Sequence, residues 1–517
     1  MAVRISPVKT NYWGERFTLF AQRTFSGGIH TSVPPNEVDQ TKDLADCENM
    51  VLTKEGILQT RPGCERVHEI GSSAAGLGSF GQSLVWATNG KVFVNGVEVG
   101  ECDTSKSVKF IEFIGKLCIL DGGPLKVYDG ENFYVVEEAP QASFGLVRGN
   151  RLWLAGDPLN PSTLWYSGVN DLRDWGFTGL KLGGFFDINP TVGSYISAIA
   201  LFFDTLLIFK GGNEKKIYRL DGSTQDNFTI REVLGGITCI SHNTVNFTQI
   251  GTLFLSENGV FSFDGSQSIV VPISTKILNK LQFDYPEKTH AVFWTPEAFY
   301  ILTYENDAYV LNINVGAWFR WKFPFKILVL NVIGDYCYLA GDDGWIYRLD
   351  WHTSKDGEVP ISSEVKTAFY DFGDPGIWKY IKNVYLHLFP YGGGNFNFSF
   401  VLDYTQLRGQ RNILLTNYVS ETGLGWDNFL FGWDEEEFGW DTAGETILNF
   451  AGGAGWDNPL VGWDDEEVGW DTVIPIPLTV KLPVSARCRS IQFILQSPST
   501  PFALYGLELG GAILRPV

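Results

Sequence analysis

One pattern recurs through the middle of the chain and restricts its fold more than any other. An apolar, β-rich run meets a glycine turn, and a second run follows that ends in an aromatic residue and often Asp-Gly. LVWATNGKVFVNG (84–96), LCILDGGPLKVYDG (117–130), LLIFKGGNEKKIYRLDG (206–222), LFLSENGVFSFDG (253–265) and CYLAGDDGWIYRLD (337–350) are clear members. LWLAGDPLNPSTLWYSG (152–168) and FYILTYENDAYVLNI (299–313) are looser ones. Asn89-Gly90, Asn258-Gly259 and Asp343-Gly344 suit two-residue hairpins, in which both central residues take positive φ. The flanking runs alternate apolar with polar, or are wholly apolar, as half-buried and fully buried strands do. Seven hairpins within about 270 residues give a spacing near forty, the period of a four-stranded propeller blade. The expected fold is therefore all-β, a β-propeller of about seven blades over 71–350. Six or eight blades also fit such degenerate repeats, and stacked β-sandwiches are the competing architecture.

Outside this region the repeat stops. Residues 1–70 read as an extended arm punctuated by Gly27, Gly28, Pro34 and Pro35, followed by a hairpin whose apolar runs flank Glu55-Gly56. Residues 351–517 read as a C-terminal β-sandwich-like domain, with strands in 365–389, 395–404, 478–497 and 502–514. An acidic insertion at 421–475 interrupts it.

The charge is local. The chain carries −20, yet 421–480 alone holds fourteen Asp or Glu and no Lys or Arg, which leaves −6 for the rest. Such a balance does not grip nucleic-acid phosphates, but it suits a passage that DNA must slide through without sticking. Seven cysteines, at 47, 64, 102, 118, 239, 337 and 488, include no C-x-x-C pair and read as small apolar residues of a reducing compartment. MAVRISPVKTNYW has no apolar signal core, and ISAIALFFDTLLIF from Ile196 is too short to span a bilayer and is broken by Asp204. The expectation is a protein made in the cytoplasm, without stable membrane insertion.

No catalytic constellation emerges. Six histidines, at 30, 68, 242, 290, 352 and 387, are scattered without metal-ligand spacing. There is no phosphate loop and no nucleophile elbow. Asp371-Phe372-Gly373 spells a kinase triplet but sits in a turn setting, and Asp342-Asp343 reads as a hairpin turn rather than a glycosidase pair. Arg219 and Arg348 hold equivalent places in two repeats, each a partner for a nearby Asp. The reading is a non-enzyme with no catalytic residue, no cofactor and no metal.

The acidic insertion remains. GWDNFLFGWDEEEFGWDT (425–442) and GWDNPLVGWDDEEVGWDT (455–472) place Trp426, Trp433, Trp440, Trp456, Trp463 and Trp470 seven apart within each copy. A helix would bear about 1 kcal/mol for each glycine, and an odd period would put successive tryptophans on opposite faces of a strand. A chain of turns fits better. Three roles compete: a tryptophan-pinned double loop, a partner-contact surface of Trp ringed by carboxylates, and a calcium site built on Asp434, Glu435, Glu436, Glu437 and Asp441. The six tryptophans are the candidate partner-contact residues.

Two further stretches carry a family resemblance. Phe25, Gly27 and Gly28 in the arm, then Asn49, Gly56, Leu58, Arg61, Pro62 and Gly63, resemble the opening of tail proteins from bacteriophages. NRLWLAGDPLNPSTLWYSGVNDLRDW (150–175) is similar to a blade of phage tail nozzle proteins, also called tail tubular protein B or packaged-DNA stabilisation protein. The resemblance implies a structural virion protein in the tail of a short-tailed phage. Its partners would be five further copies in a sixfold ring, a tail adaptor, a tail fibre or spike, and genomic DNA passing through the lumen without specific binding. The ring would extend and gate the channel for genome retention and ejection. The acidic insertion departs from what the family requires. The alternative is a propeller that binds carbohydrate, or hydrolyses glycans, at a cell surface.

Overall fold

The computed structural model describes residues 18–54, 56–176, 182–265, 271–391, 394–404, 406–415 and 478–513. These form two bodies, one of 62–359 and one of 1–61 with 360–517. The divisions fall after Arg61 and Val359, where the sequence puts them near 70 and 350, because Gly63–Glu69 is a strand of the last blade.

Residues 62–359 are a propeller of seven blades. Blades one to four, over 74–101, 109–135, 144–187 and 194–235, are antiparallel sheets of four consecutive strands. Blade five, over 246–263, shows three strands among the described residues, and blade six, over 290–322, has four. Blade seven takes three strands from 327–350 and its fourth from Gly63–Glu69, which pairs antiparallel with Trp345–Asp350. The first strand of each blade lies beside the first strand of the next, and that of blade seven returns to blade one. Closure of the ring by an N-terminal strand leaves no open end between first and last blades.

All seven hairpins read in the sequence are the second and third strands of the seven blades. Their turn chemistry is more varied than expected. Asn89 and Gly90 both take positive φ, at 51° and 77°, but at Asn258-Gly259 and Asp343-Gly344 only the glycine does. Gly259 already belongs to the strand, and both its φ of 115° and a Cβ that would meet Ser274 Oγ at 2.6 Å require glycine.

The cores lie between blades. Trp153 of blade three is fully buried and packs with Tyr166, Leu206 and Ile208 across to blade four, and it donates to Arg148 O at 3.1 Å. Phe209, Phe254 and Phe261 join blades four and five. Leu77 and Trp86 meet Val329, Ala340 and Ile346 where blade one adjoins blade seven. Each side chain removed from water here contributes about 1.5–3 kcal/mol, so every blade depends on its neighbours.

The second body is a pair of six-stranded sheets. One holds Leu478–Cys488, Lys379–Pro390, Phe502–Ile513, Leu58–Thr60, Met50–Leu52 and Thr18–Gln22. The other holds Gly28–Ile29, Asp43–Glu48, Ser363–Thr367, Ile491–Ser497, Gly394–Leu402 and Gln406–Leu415. Phe396 of the second meets Phe502 of the first edge-on at 5.5 Å, and Thr60 Oγ1 lies 3.3 Å from Ser363 Oγ. The expected hairpin around Gly56 is present as Met50–Leu52 paired with Leu58–Thr60, and the arm ahead of it supplies three strands to the sandwich. All seven cysteines are buried, and burial pushes the thiols of Cys118, Cys239 and Cys337 up to about 12.

Candidate functional site

The six tryptophans of the acidic insertion lie outside the described residues, as do the carboxylates considered for calcium. Among the described residues, no group of three or more His, Cys, Asp and Glu is placed to hold a metal ion. The turn readings hold: Asp371 Oδ1 accepts from Gly373 N at 2.9 Å, and Asp342 Oδ1 accepts from Lys326 N at 2.9 Å. Arg219 pairs with Asp221 at 2.7 Å, and Arg348 with Glu65 at 2.5 Å.

A buried pattern of catalytic type does occur between blades three and four. Lys210, with no exposed surface, donates to Ser162 Oγ at 2.7 Å and Ser194 Oγ at 3.0 Å, and burial lowers its pKa. A lysine with a serine is base-and-nucleophile chemistry in principle. Here Ser162 and Ser194 are 7% and 4% exposed, and their hydroxyls also donate to Ser194 O and Thr191 O. The cluster is a sealed polar staple with no room for substrate.

The open site is the propeller's own channel. The seven inner strands begin at one end of the ring, and a cavity of 860 Å³ opens there. Ala74, Phe144, Ile196, His290 and Val329 line it from blades one, three, four, six and seven, with Ser107 and Asn243 just ahead of blades two and five. Its wall is balanced in charge: Lys106, Lys288 and Lys326 stand with Asp157, Glu287 and Glu305, and Lys326 lies 3.5 Å from Glu305.

Deeper in, the balance is lost. Phe144 stacks on His242 with ring centres 4.5 Å apart, and His242 Nε2 is buried without a hydrogen-bond partner. His290 is 7% exposed and opens blade six. Lys109 opens blade two. It is half-buried, and burial brings its pKa down to about 8. Burial, then the Lys109 charge, depresses the His290 imidazole to about 3. Burial, Lys109 and His290 together hold His242 well below the usual value. Both imidazoles are therefore neutral near pH 7, each with one N–H donor and one acceptor nitrogen.

The sequence reading treats these histidines as scattered, and the structure brings His242 and His290 into the lining of one cavity. A signal exists. Lys109, Phe144 and His290 stand eight or nine residues ahead of the hairpins that begin at 117, 152 and 299, so aligning the repeats puts them in one column. His242 gives no such signal, because it lies in a 3₁₀ turn ahead of the irregular fifth blade.

No family model matches the chain, and no curated protein matches it. Solved structures do. A catalytically inactive virginiamycin B lyase from Staphylococcus aureus with quinupristin is 12% identical, covering 56% of this chain and 98% of that one, at a TM-score of 0.39. BamB from Moraxella catarrhalis is 13% identical over 56% of this chain and 99% of that one, at 0.35. The extracellular domain of a hybrid two-component system from B. thetaiotaomicron is 9% identical over 71% and 58%, at 0.40. These likenesses are distant, and the fold is read from the chain's own ring of seven sheets. The chain is a β-propeller protein.

Proposed function

We propose that the chain is a structural protein of a virion, a nozzle subunit in the tail of a short-tailed bacteriophage. The comparisons contribute the propeller and nothing of a phage tail; the reading is supported by what the resembling residues do. Each of them has an architectural task. Phe25 is 1% exposed, and a Cβ on Gly27 would strike the Asp43 carboxylate. Asn49 takes a φ of 58°, donates to Ser362 O at 2.7 Å and accepts from Arg61 Nε at 2.9 Å. A Cβ on Gly63 would meet Lys355 O at 2.5 Å. In the second stretch, Arg151 donates to Ser167 O at 2.8 Å and Leu182 O at 2.6 Å. A match built of such residues is a match of architecture, a propeller inserted within a sandwich, and not of a reaction.

In this reading six copies form a ring on a tail adaptor, and DNA passes through the ring's lumen. Outside the acidic insertion the chain carries −6, so no net positive charge is available to hold phosphates back. Negative-stain imaging and mass measurement of the full chain, alone and with its adaptor, test it. Sixfold rings are expected, and a single subunit that binds glycans overturns the reading.

A second reading has one observation in its favour. The 860 Å³ channel cavity is the size of small-molecule sites, which run to about 300–1,000 Å³. It favours a propeller that binds a small carbohydrate-like ligand at its axis. The lining carries His242 and His290 beside three lysines and three carboxylates, a polar set that suits recognition of a hydroxyl-rich ligand.

A further inference from the structure

We propose that the outward face of the sandwich strands Lys379–Pro390 and Leu478–Cys488 is a docking surface for the chain's own acidic insertion, with Asp464, Asp465, Glu466 and Glu467 set against Lys382, Lys481, Arg487 and Arg489. The contact lies within the second body and goes beyond both readings of the function, depending on neither.

Strand alternation builds the face. Leu482, Val484 and Ala486 are buried, and Lys481, Arg487 and Arg489 take the alternate, exposed positions. On the neighbouring strand Tyr380 pairs directly with Arg487, and Lys382 is exposed two residues on. Trp378, itself 37% exposed, holds both arginines: the guanidinium groups of Arg487 and Arg489 each lie 5.1 Å from its ring centre. A guanidinium seated on a ring keeps its charge and its hydrogen-bond donors. None of Lys382, Lys481, Arg487 and Arg489 makes a side-chain hydrogen bond or ion pair among the described residues. The carboxylates at that end are turned to backbone instead. Asp374 Oδ1 accepts from Gly376 N at 3.2 Å, and Asp403 Oδ1 from Arg489 N at 2.7 Å and Ser490 N at 2.9 Å. Four unanswered cations thus gather on two adjacent strands of a chain whose net charge is −20.

The occupant follows from charge and from chain length. Residues 421–480 hold fourteen Asp or Glu and no Lys or Arg, the complement of this face. The described chain resumes at Leu478, the first residue of the strand that carries Lys481 and Arg487. Glu467 precedes Leu478 by eleven residues, and Arg489 follows it by eleven. At a reach of about 3.3–3.6 Å per residue, a chain that doubles back at the strand's start brings the four acids alongside the four cations. Trp463 and Trp470 flank those acids and match Trp378 and Tyr380 on the face, since aromatic rings pack on one another and on arginine. Tethering supplies a high effective concentration, so exposed pairs that are weak singly act together.

Zero-length carbodiimide cross-linking of the full chain tests the contact, with the denatured monomer and dimer bands digested separately for peptide mass spectrometry. Lys382 is the diagnostic residue, because its strand adjoins neither end of the insertion in sequence. In the monomer band, Lys382 and Lys481 are expected to be joined to carboxylates of Asp464–Glu467. Those links should weaken about 3–10-fold when sodium chloride is raised from about 0.05 to 0.5 M, and by a similar factor in the double variant Arg487→Glu, Arg489→Glu, since exposed pairs are screened and charge-dependent. Lys91 and Glu98, 2.6 Å apart in the propeller, supply a control link for every low-salt sample. The proposal is overturned if the control link forms while Lys382 joins no residue of 421–475, if its links to the insertion occur only in the dimer band, or if their yield does not change with salt.

Discussion

The propeller and the sandwich are both all-β, yet their sheets are assembled from opposite kinds of neighbour. In blades one to six every sheet is made of strands that follow one another along the chain. In the sandwich, Thr18–Gln22 pairs with Phe502–Ile513, and Asp43–Glu48 with Ser363–Thr367, so partners come from opposite ends of the sequence. Local pairing closes small loops and forms early, whereas distant pairing waits on the rest of the fold. The comparison teaches that one kind of secondary structure can be specified by a short repeating word or by a single global arrangement.

The strongest way to break this contrast is to empty each core. Trp153→Ala in the propeller and Phe502→Ala in the sandwich each remove a fully buried ring, at a cost of about 3–5 kcal/mol. Calorimetry should show Trp153→Ala lowering one transition and Phe502→Ala another; a common shift of a single transition would mean that both regions melt as one unit. Acid should act next, and on the propeller. His242 and His290 titrate far below their unfolded value of about 6.5, His290 at about 3, so below that unfolded value the unfolded chain binds protons that the folded chain does not. Stability is therefore retained above about pH 6.5 and lost on acidification, His290 accounting for about 2 kcal/mol at pH 5 and His242 adding to the loss. Denaturant melts at pH 7 and 5 should show a loss that is roughly halved in His290→Gln. Gly78→Ala, whose Cβ would meet Phe110 Cβ at 2.7 Å, should cost about 1–2 kcal/mol by over-packing blade one on blade two. The smallest effect is expected at Lys91→Ala. Its 2.6 Å pair with Glu98 is exposed, and loss of it should change the denaturation midpoint by no more than about 0.5 kcal/mol.

The same contrast explains what the sequence disclosed. The seven hairpins were legible because turn residues and strand periodicity are local signals, and their spacing alone carries the blade. The origin of blade seven's fourth strand was not legible, since Gly63–Glu69 lies far from 327–350 in the chain and outside the repeat. Nor was the fate of the arm: Gln22, which accepts from the Tyr370 hydroxyl, meets a residue 348 positions away. The channel cluster lay between these cases. Lys109 and His290 hold a readable position in the repeat, but a lone histidine ahead of a strand has no local mark of its role, and His242 follows no repeat at all. The tryptophans from Trp426 to Trp470 form the plainest motif in the chain and lie outside the described residues, so their role rests on the sequence.

The last blade ties together the two ends of the propeller segment. Gly63 N donates to Thr353 O at 3.0 Å, and Asp356 pairs in parallel with Cys64, so the chain leaves and rejoins the propeller at one point. To the sandwich, residues 62–359 are topologically a loop, and a long flexible loop would add entropy to every pairing between the strands before and after it. A ring that fastens its own ends removes that burden, and the sandwich experiences an insertion no more demanding than a tight turn. Whole propellers are thus portable between host folds, and a host can gain or lose one without its remaining strands changing partners.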